Sequence, residues 1–187
     1  MKSVSETFWD FSVRTYRTEF VPEACLSLQD ERGVDVNMLL FCFWYGVTRG
    51  RQEKEKFQHV FEFSENWAER VVRPLRNART WMKLDGCIDP RIPTERCMEF
   101  REKVKGVEFD AEKIQQDVLE SLTLSVEEKE QSPADQLTAI KKNIRQYFDT
   151  VDIVLDDFVK ERLVTIMQAG VVELSAPDIR TALNSKN

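Results

Sequence analysis

The sequence predicts an all-α protein, a single compact helical domain of seven to nine helices around one central hydrophobic helix. Only six glycines and six prolines occur in 187 residues, while residues that favour helices, such as Glu, Lys, Gln, Leu and Ala, are plentiful. Most of the chain repeats its apolar residues at helical spacing. With 42% hydrophobic residues, a chain of this length can bury one substantial core.

The most hydrophobic run, DVNMLLFCFWYG at 35–46, predicts the central helix, over about residues 36–47. Asp35 is a suitable N-cap, and the ten residues from Met38 hold nine apolar or aromatic side chains plus Gly46. A helix that is hydrophobic all round is buried all round. The run is about half the ~20 residues that a membrane span needs, so we expect a core helix and no membrane insertion.

The other elements of the first half follow from cap and proline signals. We expect a helix from about Ser5 to Thr18, and a second that opens at Val21-Pro22 and closes at Gly33. The segment KFQHVFEF, 56–63, is predicted to be helical, an extended conformation being the alternative, and Ser64 is predicted to cap a long helix after it. Pro74 should kink or divide that helix. Its inward face is predicted to hold Trp67, Val71, Leu75, Ala78 and Met82.

In the second half, GCIDPRIP at 86–93 predicts a linker. Thr94 is predicted to cap a helix that stops at Gly106, and Asp110 to cap the next one, to about Leu124. Further helices are predicted from Ser132-Pro133 onward to Gly170, with the break near Asp149-Thr150 left open. Ser175 is predicted to cap a short last helix.

Charge is distributed unevenly along the predicted domain of residues 1–187. Residues 1–85 are aromatic-rich and carry 13 basic and 13 acidic side chains, whereas the net charge of −6 belongs to the second half, whose helical part is 94–187. Overall acidity argues against nucleic acid as a default ligand. The first residues contain no export signal, and the four cysteines form no CxxC pair. We therefore expect a cytoplasmic protein with reduced thiols, a Cys87–Cys97 disulfide being the alternative.

Most catalytic chemistry has no support in the sequence. His59 is the single histidine, which argues against a zinc site or a di-iron bundle, and no GxGxxG, GxxxxGK or GxSxG motif is present. Asp149, Asp152 and Asp156 lack the spacing of a calcium loop and read better as a solvated acidic face. We predict no catalytic residue, no metal and no cofactor, and favour a non-enzymatic protein.

One cluster of cations suggests a binding surface. On the predicted Ser64 helix, five basic side chains project away from the apolar face, namely Arg70, Arg73, Arg76, Arg79 and Lys83. This basic face predicts an interaction or regulatory module that contacts an anionic partner, a protein with an acidic surface rather than RNA. The alternative is an ordinary helix surface that acids of the second half neutralise. The oligomeric state is left open.

Aromatic residues suggest a different kind of site. Fourteen of the 19 aromatic residues, including all four tryptophans, lie before residue 86, with polar groups among them. Such a mixture favours a small-molecule pocket or an enzyme in residues 8–85. Its candidate lining is Trp9, Asp10, Asp35, Asn37, Trp44 and Trp67. The alternative is an aromatic core with Asp35 as a helix cap.

Three segments carry a family resemblance: FWDFS at 8–12, ACLSLQDERGVDVNMLLFCFWYG at 24–46, and Trp67 with VVRPLRNARTWMK at 71–83. They resemble an uncharacterised proteobacterial family, domain of unknown function 2390, with a fainter continuation through FREKVKGVEFDAEKIQQDVLESL at 100–122. The resemblance implies a cytosolic protein of a Gram-negative bacterium and no established activity or cofactor. It also points to a set of motif positions for testing: Asp10, Gln29, Asp30, Asp35, Asn37, Trp44, Trp67, Arg73 and Arg76.

Overall fold

The computed structural model describes residues 6–83, 91–171 and 173–185, and within these ranges it confirms the all-α prediction. The described chain contains nine α-helices, a π-helical turn between the fourth and fifth of them, and no strand. The helices are α1 (Phe8–Tyr16), α2 (Val21–Arg32), α3 (Val36–Thr48), α4 (Lys54–Trp67), the π turn (Ala68–Val72), α5 (Arg73–Trp81), α6 (Thr94–Ser121), α7 (Pro133–Thr150), α8 (Asp157–Gly170) and α9 (Ala176–Asn184).

Helix α3 is the central hydrophobic helix, as predicted. Every residue from Asn37 to Gly46 is buried. The Asp35 carboxylate caps the helix by accepting hydrogen bonds from the backbone N–H groups of Asn37 and Met38. Helices α1, α2, α6, α7 and α8 all contact α3. The apolar surface of α3 on all its sides is thus covered by neighbouring helices, as its sequence requires.

The contact between α3 and α7 is unusually close at Gly46. A Cβ atom at this position would lie 2.6 Å from Ile140 Cγ1, 2.9 Å from Ile140 N and 3.0 Å from Ile140 Cα. Gly46 therefore allows the two backbones to approach each other. Beside it, the Asn143 side chain ties α7 to the loop after α3, since it donates to the Gly50 carbonyl at 3.1 Å and accepts from the Gln52 backbone N–H at 2.8 Å.

Several predicted boundaries are confirmed and others are wrong. Val21-Pro22 opens α2, Gly33 closes it with φ = 70°, and the Ser132 and Ser175 hydroxyls cap α7 and α9. Ser64 is not a cap, however, because the helix already begins at Lys54 and the buried Ser64 hydroxyl accepts a hydrogen bond from another helix.

The predicted break between Gly106 and Asp110 is also wrong. Helix α6 continues through both residues and is 28 residues long. An interior glycine costs a helix about 1 kcal/mol relative to alanine. Contacts of α6 with α1, α3, α4, the π turn and α5 offset that cost. Tertiary packing therefore overrides the local stop and cap signals here.

Pro74 divides the helical rod, as predicted. Because proline has no N–H, it cannot donate to the carbonyl four residues earlier, and the chain forms a π turn just before α5. The extra residue of a π turn rotates the following face. Ala68 and Val72 of the π turn are buried, and after the rotation Ala78, predicted to face inward, is exposed. Met82 is buried as predicted.

Helices α7 and α8 are separate, with Asp152 at φ = 55° between them and Asp156 capping α8. Cys25 and Cys42 are buried free thiols, as expected, but Cys97 is disulfide-bonded, against the expectation of reduced cysteines. Cys87 and most of the predicted 86–93 linker lie outside the described residues. In the part that the structure describes, no helix is long and apolar enough to cross a membrane.

The close approach at Gly46 predicts a stability difference between two glycines. Gly46→Ala should lower the free energy of unfolding by about 1–3 kcal/mol, because the Ile140 backbone cannot move aside without separating α3 from α7. Gly106→Ala is the matched control, since its Cβ would meet nothing within 4 Å, and it should raise stability by about 0.5–1 kcal/mol. Urea unfolding of both variants checks this, and an unchanged Gly46→Ala midpoint would contradict the packing described.

We propose that residues 1–187 unfold as one domain. The buried apolar cluster contains residues from Phe8 to Leu183, so the halves share a core. All four tryptophans precede residue 86, and their fluorescence reports on the first half, whereas far-UV circular dichroism reports on every helix. The two probes should give the same midpoint in urea. A second transition seen only by circular dichroism would mean that the second half unfolds independently.

Candidate functional site

A cleft of about 310 Å³ opens where α2 ends, α3 begins and the π turn meets α5. We call it the α2–α5 cleft. Its apolar lining comes from Gly33, Val34, Ala68 and Val72. Six polar residues complete it: Gln29, Asp30, Asp35, Asn37, Arg73 and Arg76. These six come from two segments about 40 residues apart, and all six belong to the motif positions named above.

The floor of the cleft is a buried hydrogen-bond network around Gln115 of α6. The Gln115 amide donates to Asp35 Oδ2 at 2.9 Å and to the Ser64 hydroxyl at 2.8 Å, and its carbonyl accepts from Asn37 Nδ2 at 2.8 Å. Gln116 Nε2 donates to Asn37 Oδ1 at 2.7 Å. Asp35 and Asn37 are therefore held by structural hydrogen bonds as well as facing the cleft.

Tyr147 of α7 also binds the backbone at the start of α3. Its hydroxyl accepts a hydrogen bond of 2.9 Å from the Asp35 backbone N–H. Burial and the nearby Asp35 carboxylate raise the pKa of Tyr147 well above its ordinary value. The phenol therefore stays neutral near neutral pH and fixes the loop that precedes α3.

Arg73 and Glu65 form a two-pronged ion pair at the cleft wall, with nitrogen–oxygen distances of 2.7 and 2.9 Å. The hydrogen bonds to Glu65 raise the pKa of Arg73 further above its ordinary value, against the effect of its partial burial. The pair spans the π turn, since the two residues are eight positions apart. Glu65 thus neutralises Arg73 within the same helical rod.

Arg76 and Arg79 are neutralised from α6. Arg76 donates to Glu108 at 3.0 Å and to Glu112 at 2.6 Å, and Arg79 donates to both oxygens of Glu108. Desolvation raises the pKa of Glu108, but the hydrogen bonds from Arg79 and Arg76 outweigh it and the pKa lies below its ordinary value. Glu112 has the opposite shift, because desolvation raises its pKa more than Arg76 lowers it.

The five residues of the predicted basic face therefore differ in their surroundings. Three are ion-paired: Arg73 with Glu65, Arg76 with Glu108 and Glu112, and Arg79 with Glu108. Arg70 and Lys83 are exposed and form no ion pair within the described ranges. The acidic second half covers part of this face, which is the alternative that the sequence left open. Partner binding by the face as a whole stays a prediction.

The four pocket candidates other than Asp35 and Asn37 lie elsewhere. Trp44 is 1% exposed in the core and donates to the Glu6 carbonyl, and Trp67 donates to the Ala111 carbonyl. Trp9 packs edge-on against Phe109. Asp10 is engaged with Thr7 at the start of α1. The structure does not bring these four residues into the α2–α5 cleft.

A second groove, of about 370 Å³, lies at the α7–α8 connection. Its lining includes Arg145, Asp149 and Asp152. Asp156 lies nearby in sequence, but it caps α8 and pairs with Arg32 at 3.2 Å. Among the described residues there is no group of three or more potential metal ligands, and these aspartates are no exception.

Comparison with known proteins identifies the family. A model described as Protein of unknown function (DUF2390) matches residues 7–119. The chain belongs to this family. Every residue that lines the α2–α5 cleft lies inside the matched DUF2390 region, and so do Glu108, Glu112 and Gln115, whereas the α7–α8 groove lies outside it. No curated protein and no solved structure matches the chain.

Sequence reasoning missed the α6 residues that complete this DUF2390 site. Gln115 and Gln116 are buried, and two adjacent glutamines inside an apolar helix pattern are a signal, since buried amides need partners. Glu108 and Glu112 are four residues apart on α6, and Arg76 and Arg79 are three apart on α5. Both pairs are spaced by about one helical turn, which is visible in the sequence. Nothing in the sequence showed, however, that α5 and α6 pack together.

The Glu108 ion pairs predict a pH-dependent stability contribution. Because the pKa of Glu108 is lowered in the folded protein, its ionisation stabilises the fold above the ordinary carboxyl pKa, and this contribution is lost as the pH falls through the lowered value. Glu108→Gln should lower the free energy of unfolding by about 1–3 kcal/mol at neutral pH, since it weakens the contacts to two arginines.

Urea unfolding at neutral and acid pH measures this effect. The difference between wild type and Glu108→Gln should shrink at acid pH, where the wild-type carboxylate is protonated. Glu99→Gln is the control, because Glu99 is exposed on the same helix and forms no ion pair in the described chain, and it should change stability by less than about 0.5 kcal/mol. A pH-independent loss in Glu108→Gln would show that packing, not charge, is responsible.

Proposed function

We propose that this member of the DUF2390 family is a binding protein for a small polar molecule, and that the ligand occupies the α2–α5 cleft. One observation carries the proposal: six polar side chains from two distant segments of the family-matched region line one cleft. Its volume, about 310 Å³, lies at the lower end of the range of small-molecule sites. Its mixed apolar and polar lining is also typical of such sites.

The free groups of the cleft indicate what kind of molecule fits. Asp30 is exposed, and among the described residues its carboxylate accepts a hydrogen bond only from the Gln29 side-chain amide, at 3.2 Å. It is available to a ligand ammonium group. Arg73 Nε and Arg76 Nη1 take no part in the ion pairs with glutamates, and they are donors for a ligand carboxylate. These groups favour a small zwitterion, such as a free amino acid or a related amine-bearing acid.

The hydrogen-bonded floor supports binding rather than simple packing. Asp35 and Asn37 are fixed by Gln115, Gln116 and Tyr147, so they present a rigid polar surface. Preorganised polar groups lose less conformational entropy when a ligand binds.

The anionic-partner hypothesis for the basic face has weaker support. Arg73, Arg76 and Arg79 already have carboxylate partners, and an anionic protein or RNA would have to displace them. If the hypothesis holds, the exposed Arg70 and Lys83 are its best candidates. A cytoplasmic location and a non-enzymatic role stay expectations that accompany either function.

A thermal-stability screen tests the ligand proposal. The wild-type protein is incubated separately with amino acids, polyamines, dicarboxylates and nucleotides, and any hit is confirmed by isothermal titration calorimetry. An amino acid at 100 times its Kd should stabilise the protein by about 2.7 kcal/mol, which raises the melting temperature of a chain this size by about 5–10 °C. Asp30→Asn should abolish the shift.

Glu31→Gln is the matched control, because this neighbouring exposed carboxylate does not line the cleft, and it should keep the full response. Equal responses in Asp30→Asn and wild type would remove the α2–α5 cleft as the binding site. Stabilisation by dicarboxylates or nucleotides alone would favour the basic face, and its loss in Arg70→Gln plus Lys83→Gln would locate the contact there. No response to any class would reject the proposal.

A further inference from the structure

Helix α6 carries an apolar stripe at coiled-coil spacing. From Cys97 the apolar positions follow steps of 3 and 4 in strict alternation, as in a heptad repeat. They are Cys97, Phe100, Val104, Val107, Ala111, Ile114 and Val118. One row of this stripe turns toward the rest of the chain: Cys97 and Ala111 are buried and Val104 and Val118 are half-buried.

The other row, which we call the exposed row, consists of Phe100, Val107 and Ile114. These side chains are 59%, 53% and 47% exposed, so about half of each remains open to solvent. They lie seven residues apart, so the row is straight and about 21 Å long. An aligned apolar row on a helix differs from the scattered apolar residues of an ordinary surface, and it marks a site where another surface packs.

A row of charges flanks the exposed row on its outer side. It consists of Arg96, Lys103, Asp110 and Asp117. The first three lie four residues before Phe100, Val107 and Ile114, and Asp117 lies four residues before Ser121, where the next step of seven falls. We call it the charged row. All four side chains are exposed, and none forms an ion pair within the described chain. The row is basic in the first half of α6 and acidic in the second. Two copies of the row are therefore complementary in charge when they run antiparallel.

We propose that a second copy of this chain covers the exposed row, with the two α6 helices antiparallel about a two-fold axis near Val107. In this arrangement Val107 meets Val107 of the second copy, and Phe100 meets Ile114. Residues of the charged row face each other in antiparallel coiled coils, so Lys103 lies beside Asp110 of the second copy and Arg96 beside its Asp117. Each pair occurs twice because the interface is symmetric.

A parallel pair does not satisfy the same charges. In parallel coiled coils the charged row would face the position that follows each residue of the exposed row. Two of those residues, Glu108 and Gln115, are buried within their own chain, where they bind Arg79 and Asp35. Self-pairing of α6 therefore favours the antiparallel direction. One helix pair is a small interface, so we expect reversible association in the micromolar range.

Charge reversal in the charged row tests the proposal by sedimentation velocity. Wild type should shift from 21.9 kDa to twice that mass as its concentration rises through the micromolar range. Lys103→Glu and Asp110→Lys should each raise the dimer dissociation constant about tenfold, since each replaces two attractive pairs with two repulsive ones. The double variant, and an equimolar mixture of the two single variants, should recover wild-type association.

Lys105→Glu makes the same charge change on the opposite side of α6 and should leave the dissociation constant unchanged. If the double variant restores association, a folding defect does not account for the weaker dimers of the single variants. A wild-type protein that stays monomeric at hundreds of micromolar would overturn the proposal. So would single variants that associate as wild type does, or a double variant that shows no recovery.

Disulfide trapping tests the direction of the helices independently. Under mild oxidation Val107→Cys should cross-link to itself. Phe100→Cys alone should not, because two such residues lie about 21 Å apart in the antiparallel pair, but its mixture with Ile114→Cys should cross-link. Self-cross-linking of Phe100→Cys at the rate of Val107→Cys would mean a parallel pair, and an absence of trapping in all three samples would overturn the interface.

Discussion

The complete burial of α3 is the constraint on which the rest of the fold depends. Ten consecutive residues without an exposed side can be stable only when helices cover every face. One face is closed by α7, whose backbone approaches at Gly46, and the others by α1, α2, α6 and α8. At the start of α3 polar groups enter this core, and Asp35 and Asn37 are held there by amides of α6.

That polar entry point explains why the α2–α5 cleft lies where it does. Asp35 cannot be fully covered by apolar side chains, because its carboxylate caps α3 and needs hydrogen-bond donors. Gln115 supplies one donor from α6, while another side of the Asp35 residue stays open to the cleft. The π turn before α5 then brings Arg73 and Arg76 to the opposite wall. The cap of α3 at Asp35 and the π turn before α5 thus together place the polar groups of the cleft.

Features that depend on neighbouring residues were predictable, and features that depend on packing were not. The caps at Asp35, Ser132 and Ser175 follow from side-chain chemistry within three residues. The continuity of α6 through Gly106 does not, because its local signals indicate a break that tertiary contacts override. For the site, Asp35 and Arg76 were identifiable as motif positions, but their partners lie on α6, 32 to 80 residues away.

The boundary of the family match passes through α6, and this has a physical consequence. The match ends at residue 119, whereas the face of α3 at Gly46 and Cys42 is closed by Ile140 and Asn143 of α7. The matched segment alone would therefore expose part of the most hydrophobic helix in the chain. In this chain the acidic second half supplies that cover.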